Sequence, residues 1–74
     1  MSYNYSKLLG RIVEKVGTQG KFAERMNLSE RTISLKLNGK IEWKQNEIAN
    51  ACQILDIQER EIATYFFALE VQRQ

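Results

Sequence analysis

The chain has 74 residues, of which 43% are hydrophobic, and a formal net charge of +2. This length predicts a single domain, because it supplies enough apolar residues for one small core. With no His and only one Cys, Cys52, the sequence excludes an internal disulfide and leaves too few ligands for a zinc site. No segment approaches the roughly 20 apolar residues of a membrane span, and the start MSYNYSKLL lacks the regions of a signal peptide, so we expect a cytoplasmic protein.

The charges are unevenly distributed along the chain. Residues 1–44 carry nine Lys and Arg against four acidic residues, whereas residues 45–74 carry two against five. This asymmetry fits a face for a polyanion on the N-terminal part, and it fits scattered, solvated charges equally well. The positions of the basic residues therefore have to decide between the two interpretations.

The spacing of the apolar residues predicts five helices, because they recur at intervals of three and four and the chain contains no Pro. The first helix is predicted from Tyr5 to Val16, with one apolar stripe along it. Gly17 follows as a left-handed C-terminal cap. The fold class predicted from this pattern is all-α.

Two short helices joined by a tight turn come next. Thr18 is a typical N-cap for a helix from Gln19 to Met26, and Asn27 suits the left-handed backbone of a sharp turn. Ser29 is the N-cap of a third helix, from Glu30 to Leu37. The side chains expected to face the core are Phe22, Ala23, Met26, Leu28, Ile33 and Leu37.

The remaining sequence predicts a fourth helix from Lys44 to Leu55 and a fifth from Glu59 to about Val71. Cys52 falls on the inward stripe of the fourth helix, so we interpret it as a small buried hydrophobe and not as a reactive thiol. The fifth helix carries an unusually wide apolar arc that includes Tyr65 and Phe67. This arc either meets another subunit or fills a small core with large aromatic side chains.

The outward face of the third helix carries the candidate reading residues. At 100° per residue, Ile33 and Leu37 point to the core, whereas Arg31, Leu35 and Asn38 point away from it. The Arg31 guanidinium suits bidentate contact with guanine, and Leu35 suits a thymine methyl group. The alternatives are a solvated surface arginine and an ordinary exposed leucine.

Secondary candidates surround this face. Glu30 could accept a hydrogen bond from a cytosine amino group, or it could simply complement the helix dipole. Thr32 and Ser34 have hydroxyl groups that suit either bases or phosphates. Phosphate contacts are expected from donors at the edges of the face, since these position a protein on DNA. The expected phosphate-contacting residues are Gln19, Lys36, Asn38, Lys40 and Lys44.

The segment from Leu8 to Leu69 resembles the phage repressor and Cro-type helix-turn-helix family, also called the xenobiotic-response-element class. The resemblance is carried by Gln19, Ala23, Asn27-Leu28-Ser29, Ile33 and Leu37-Asn38-Gly39. It implies a compact five-helix, lambda-repressor-like DNA-binding domain whose third helix enters the major groove. By the same resemblance, Glu30, Arg31 and Leu35 occupy base-contacting positions, and Gln19 and Asn38 occupy backbone-contacting positions.

The sequence departs from the family pattern in two places and is short. Asn27 stands where Gly is common, and Gly20 lies inside the second helix. The chain ends soon after the fifth helix, so it looks like a Cro-type protein or a short regulator without the self-cleaving domain of full-length phage repressors. Its tail resembles that of short regulators from phages of Gram-positive bacteria.

These features predict a sequence-specific DNA-binding transcriptional regulator, a phage Cro-like repressor that binds double-stranded operator DNA as a homodimer, at least on the DNA. No cofactor and no membrane partner are expected. The alternative is a protein-interaction module that uses the same fold to bind a partner repressor or a toxin. An enzyme is not expected, because the sequence shows no His, no paired carboxylates in a cleft and no nucleophile with a base.

Overall fold

The computed structural model of the protein describes residues 3–70. Its helices are α1 (Ser6–Lys15), α2 (Gln19–Met26), α3 (Glu30–Leu37), α4 (Gln45–Leu55) and α5 (Ile62–Phe66), with a 3₁₀ turn at Glu59–Glu61. The only β pairing among these residues is an isolated antiparallel bridge between Tyr3 and Leu69. The predicted all-α fold with five helices is confirmed. Within residues 3–70, no helix is long and apolar enough to cross a membrane.

Local capping explains why α2 and α3 have the bounds that the sequence predicts. The Thr18 hydroxyl oxygen accepts a hydrogen bond from the Lys21 N–H at 3.1 Å. Asn27 closes α2 in the left-handed conformation, with φ 60°. The Ser29 hydroxyl oxygen then accepts from the Thr32 N–H at 3.0 Å and begins α3. These caps depend on residues close in sequence, so they can be found without knowing the tertiary structure.

The hydrophobic core lies where all five helices meet, and its fully buried members come from each of them. Burying side chains of this size stabilises the fold by roughly 1.5–3 kcal/mol each, before the entropy cost of ordering them. Cys52 is half-buried and packs against this core, and burial raises the pKa of its thiol. The largest fully buried side chains are Phe22, Phe66, Leu8, Ile12, Ile33 and Leu55.

Arg11 fastens α1 to the end of α4. Its Nε donates to the carbonyl oxygen of Leu55 at 2.9 Å, and its Nη2 donates to that of Asp56 at 2.9 Å. Asp56 itself has left-handed backbone angles, with φ 56°. A guanidinium at this position satisfies carbonyl groups that the helix leaves unpaired and complements the negative end of its dipole.

The predicted fifth helix, from Glu59 to Val71, begins at the predicted residue but is wrong at its C-terminal end. Its first turn, at Glu59–Glu61, is 3₁₀, and α5 ends at Phe66. The backbone then extends, because the Asn4 N–H donates to the Ala68 carbonyl oxygen at 2.6 Å and ties the two ends of the fold together. Val71 lies outside the described residues. The predicted bounds of α1 and α4 differ from the observed ones by no more than one residue at each end.

Candidate functional site

The start of α3 is held by side chains that the sequence suggested for DNA contact. The Ser29 hydroxyl donates to the Thr32 hydroxyl oxygen at 2.8 Å, so the Thr32 side chain is part of the cap. The Glu30 carboxylate lies over α2, with Oε1 3.4 Å from the position that a Cβ at Gly20 would take. A carboxylate beside the first turn of α2 and in the first turn of α3 complements both helix dipoles.

The outer face of α3 is less exposed than its helical spacing predicts. Arg31 and Asn38 are exposed, whereas Ser34 and Leu35 are half-buried. The Asn38 side-chain amide donates to the carbonyl oxygen of Ser34 at 2.9 Å. Among the predicted reading residues Arg31, Leu35 and Asn38, Arg31 is therefore the one whose polar side chain is exposed and makes no hydrogen bond or ion pair with the described residues.

The prediction that Lys36 contacts a phosphate is wrong, because this side chain is buried. It is only 3% exposed, because it lies three residues after Ile33 and points to the same side of α3. Its Nζ donates to the Glu42 carbonyl oxygen at 2.8 Å and forms an ion pair with Glu47 Oε1 at 2.7 Å. This buried ammonium has no room for a phosphate and is neutralised inside the protein.

Glu47, on α4, supplies the negative charge that neutralises the Lys36 ammonium. Burial would raise the pKa of its carboxyl group, but the hydrogen bond and charge of Lys36, together with the Lys44 N–H, outweigh burial and lower that pKa. The Lys44 N–H donates to Glu47 Oε1 at 2.8 Å, so Glu47 also caps the start of α4. One carboxylate thus fixes the N-terminus of α4 and the C-terminal turn of α3.

A polar cleft brings together two residues predicted to contact phosphate. Gln19 and Asn38 both line it, although they are 19 residues apart in sequence, and the cleft encloses about 330 Å³. Leu9 of α1 and Glu70 also line it. Lys40 and Lys44 are exposed but do not line this cleft.

A second depression, which we call the aromatic groove, lies beside this cleft. It encloses about 380 Å³ between the N-terminal segment, the loop that follows α3, and the end of α5. Sequence reasoning missed this groove, because its walls come from distant parts of the chain. The apolar and aromatic residues that line it are Tyr3, Tyr5, Ile41, Trp43, Ile48, Phe66 and Phe67.

The rings of the aromatic groove contact one another in a continuous chain. Trp43 packs edge-on against Phe66 with ring centroids 5.2 Å apart, and Tyr5 lies 6.3 Å from Trp43 on its other side. Tyr3 packs edge-on against Phe67 at 5.9 Å.

Burial, followed by the charges of Tyr3 and Glu42, raises the pKa of the Tyr5 hydroxyl. Trp43 Nε1 is buried and has no hydrogen-bond partner among the described residues.

Comparisons with known proteins relate the chain to a protein family and to a solved structure. The solution structure of the modulator of repression (MOR) of the temperate bacteriophage TP901-1 from Lactococcus lactis is similar, with 54% sequence identity and a TM-score of 0.80. The similarity covers 97% of this chain and 97% of that one. Curated protein sequences gave no match. Residues 1–69 match the model of a family described as a protein of unknown function, DUF739, and the chain therefore belongs to the DUF739 family.

Proposed function

We propose that the chain is a phage regulatory protein that modulates repression by binding a repressor protein. The observation that carries this proposal is the 54% identity, over 97% of both chains, to a phage modulator of repression. Similarity at that level includes surface residues as well as the core, so it supports more than a shared fold. The sequence raised this function as its alternative, and we now place it ahead of operator reading by α3.

The charges around α3 support a protein partner. Proteins that bind DNA rely on several free cations facing the phosphates. Lys36 is buried in an ion pair with Glu47, so it cannot contact a phosphate. At the start of α3, the acidic Glu30 directly precedes the basic Arg31. The loop that follows carries both a basic residue, Lys40, and an acidic residue, Glu42. This mixture of signs suits a protein surface better than a polyanion.

A second candidate function is operator binding through α3. It is favoured by Arg31, whose exposed side chain lies in the first turn of the helix. Under this function, a homodimer would place two copies of α3 about 34 Å apart along the DNA. Arg31→Ala should then relax base preference at one position in each half-site, whereas Lys40→Ala should weaken all sequences alike.

Calorimetric titration of the chain into the purified repressor from the same phage genome tests the proposal. We expect saturable binding in the absence of DNA, with a heat-capacity change that is negative because apolar surface is buried. Lysozyme at the same concentration is the control for non-specific association. Absence of binding at concentrations up to about 100 μM, equivalent to a free energy weaker than roughly −5.5 kcal/mol, would reject the proposed function.

A further inference from the structure

The exposed apolar side chains concentrate around the aromatic groove. Among residues 3–70, the exposed large hydrophobic residues at this end are Tyr3 (42%), Ile41 (39%), Phe67 (49%) and Leu69 (49%). Leu69 belongs to this patch because it pairs with Tyr3 in the antiparallel bridge. A contiguous exposed apolar patch of this kind marks an interaction surface, since water disfavours it unless a partner covers it.

The groove is already shaped before any partner arrives. The edge-on ring contacts of Trp43 with Phe66 and of Tyr3 with Phe67 fix its two sides. Lys36 lies 5.9 Å from the centre of the Trp43 ring, and its hydrogen bond to the Glu42 carbonyl oxygen holds the loop that carries Ile41. A preformed site of this kind loses little conformational freedom when it is filled.

The chemistry of the groove indicates what fills it. Its apolar and aromatic walls suit an apolar side chain. A partner protein supplies such an anchor, since a few apolar or aromatic side chains inserted into pockets carry most of the binding energy of a protein interface. The charged residues that line the groove, Lys40 and Glu42, are of opposite sign, which does not suit a nucleic acid or an anionic membrane.

We propose that the aromatic groove is the surface that receives the repressor: a segment of that protein inserts an apolar side chain between Ile41 and Phe67. This inference depends on the proposed function and adds the surface used. It places the contact at the end of the molecule formed by the N-terminal segment and the end of α5, and not on the outer face of α3. The polar cleft next to the groove supplies the hydrophilic rim that such interfaces have.

The single tryptophan makes the test direct, because the protein has only one indole N–H resonance. The ¹⁵N-labelled full-length chain is titrated with the purified repressor, and the Kd of each variant is measured by calorimetry. We expect the Trp43 indole resonance to move as the complex saturates. Ile41→Glu and Phe67→Glu should each raise the Kd at least about tenfold, because a charge replaces a buried apolar contact.

Val13→Glu is the matched control, since Val13 is 56% exposed and lies on α1, outside the lining of the groove. It should leave the Kd within about twofold of wild type. Amide spectra establish that each variant is folded, and Ile41→Glu, at an exposed loop position, keeps the test valid if Phe67→Glu does not fold.

The outcomes separate the two proposals. If the wild-type chain binds the repressor but the indole resonance stays in place and both groove variants bind as wild type does, the groove assignment is wrong and the proposed function stands. If Val13→Glu weakens binding as much as Ile41→Glu does, the groove assignment is also wrong. If the wild-type chain does not bind the repressor, the proposed function fails and the groove assignment fails with it.

Discussion

Lys36 and Glu47 form a buried ion pair, with Lys36 Nζ 2.7 Å from Glu47 Oε1. The side chains are only 4% and 12% exposed, so water screens this pair little. The same ammonium donates to the Glu42 carbonyl oxygen and lies over the Trp43 ring. The pair therefore joins the end of α3, the following loop and the start of α4, and it defines the wall of the aromatic groove.

Replacing Lys36 by Met should destabilise the protein by about 3 kcal/mol, because removing one partner leaves Glu47 buried without its countercharge. The measurement is the free energy of unfolding from urea denaturation at pH 7. Lys40→Met is the matched control, since Lys40 is exposed, and it should change that free energy by no more than about 0.5 kcal/mol. Similar small effects of both substitutions would show that the ion pair contributes little to stability.

Acidification should weaken the folded state through Glu47. Because the folded-state pKa of Glu47 lies below its ordinary value of 4.5, its contribution to stability is complete above that value and disappears as the pH falls through the lower, folded-state pKa. Glu47→Gln lacks this contribution at every pH. The difference in unfolding free energy between wild type and Glu47→Gln should therefore shrink as the pH falls from about 6 to about 2. A difference that stays constant over this range would contradict the role of Glu47.

The glycines at positions 17 and 20 should respond in opposite ways to alanine. Gly20 lies inside α2, and a Cβ there would be in ordinary contact with the Glu30 carboxylate at 3.4 Å, so Gly20→Ala should stabilise the protein by about 0.5–1 kcal/mol. Gly17 has φ 105°, so Gly17→Ala should destabilise it by at least about 1 kcal/mol. Thermal unfolding of the two variants at pH 7 checks both signs. A loss of stability in Gly20→Ala would mean that Glu30 is held too rigidly to adjust.

The sequence was most informative where structure depends on neighbouring residues. Thr18, Asn27 and Ser29 define the bounds of α2 and α3 through caps and a left-handed turn, and these signals are local. The end of α5 could not be found in this way. Phe67 and Leu69 continue the apolar arc, but the carbonyl oxygen of Ala68 accepts a hydrogen bond from the N–H of Asn4, near the other end of the chain.

The helical spacing indicates that Lys36 faces the core, but its positive charge favoured the assignment of a solvent-exposed position. Lys36 lies three residues after Ile33, on the inward side of α3, and its partner Glu47 lies 11 residues further along on α4. Helical spacing places a residue on a face, but it does not reveal a countercharge brought by another helix. The aromatic groove could not be predicted for the same reason, because Tyr3, Trp43 and Phe67 meet only in the folded protein.

The central claim is that this chain acts on a repressor protein and does not read the operator by itself. The most direct measurement is the fluorescence anisotropy of labelled operator DNA from the same phage genome, titrated with the chain alone and then with the chain plus repressor at fixed salt. We predict that the chain alone leaves the anisotropy unchanged, and that with the repressor present it alters the repressor's operator affinity at least about tenfold. Salt-dependent, sequence-specific binding by the chain alone, with the repressor's affinity unaltered, would contradict the account.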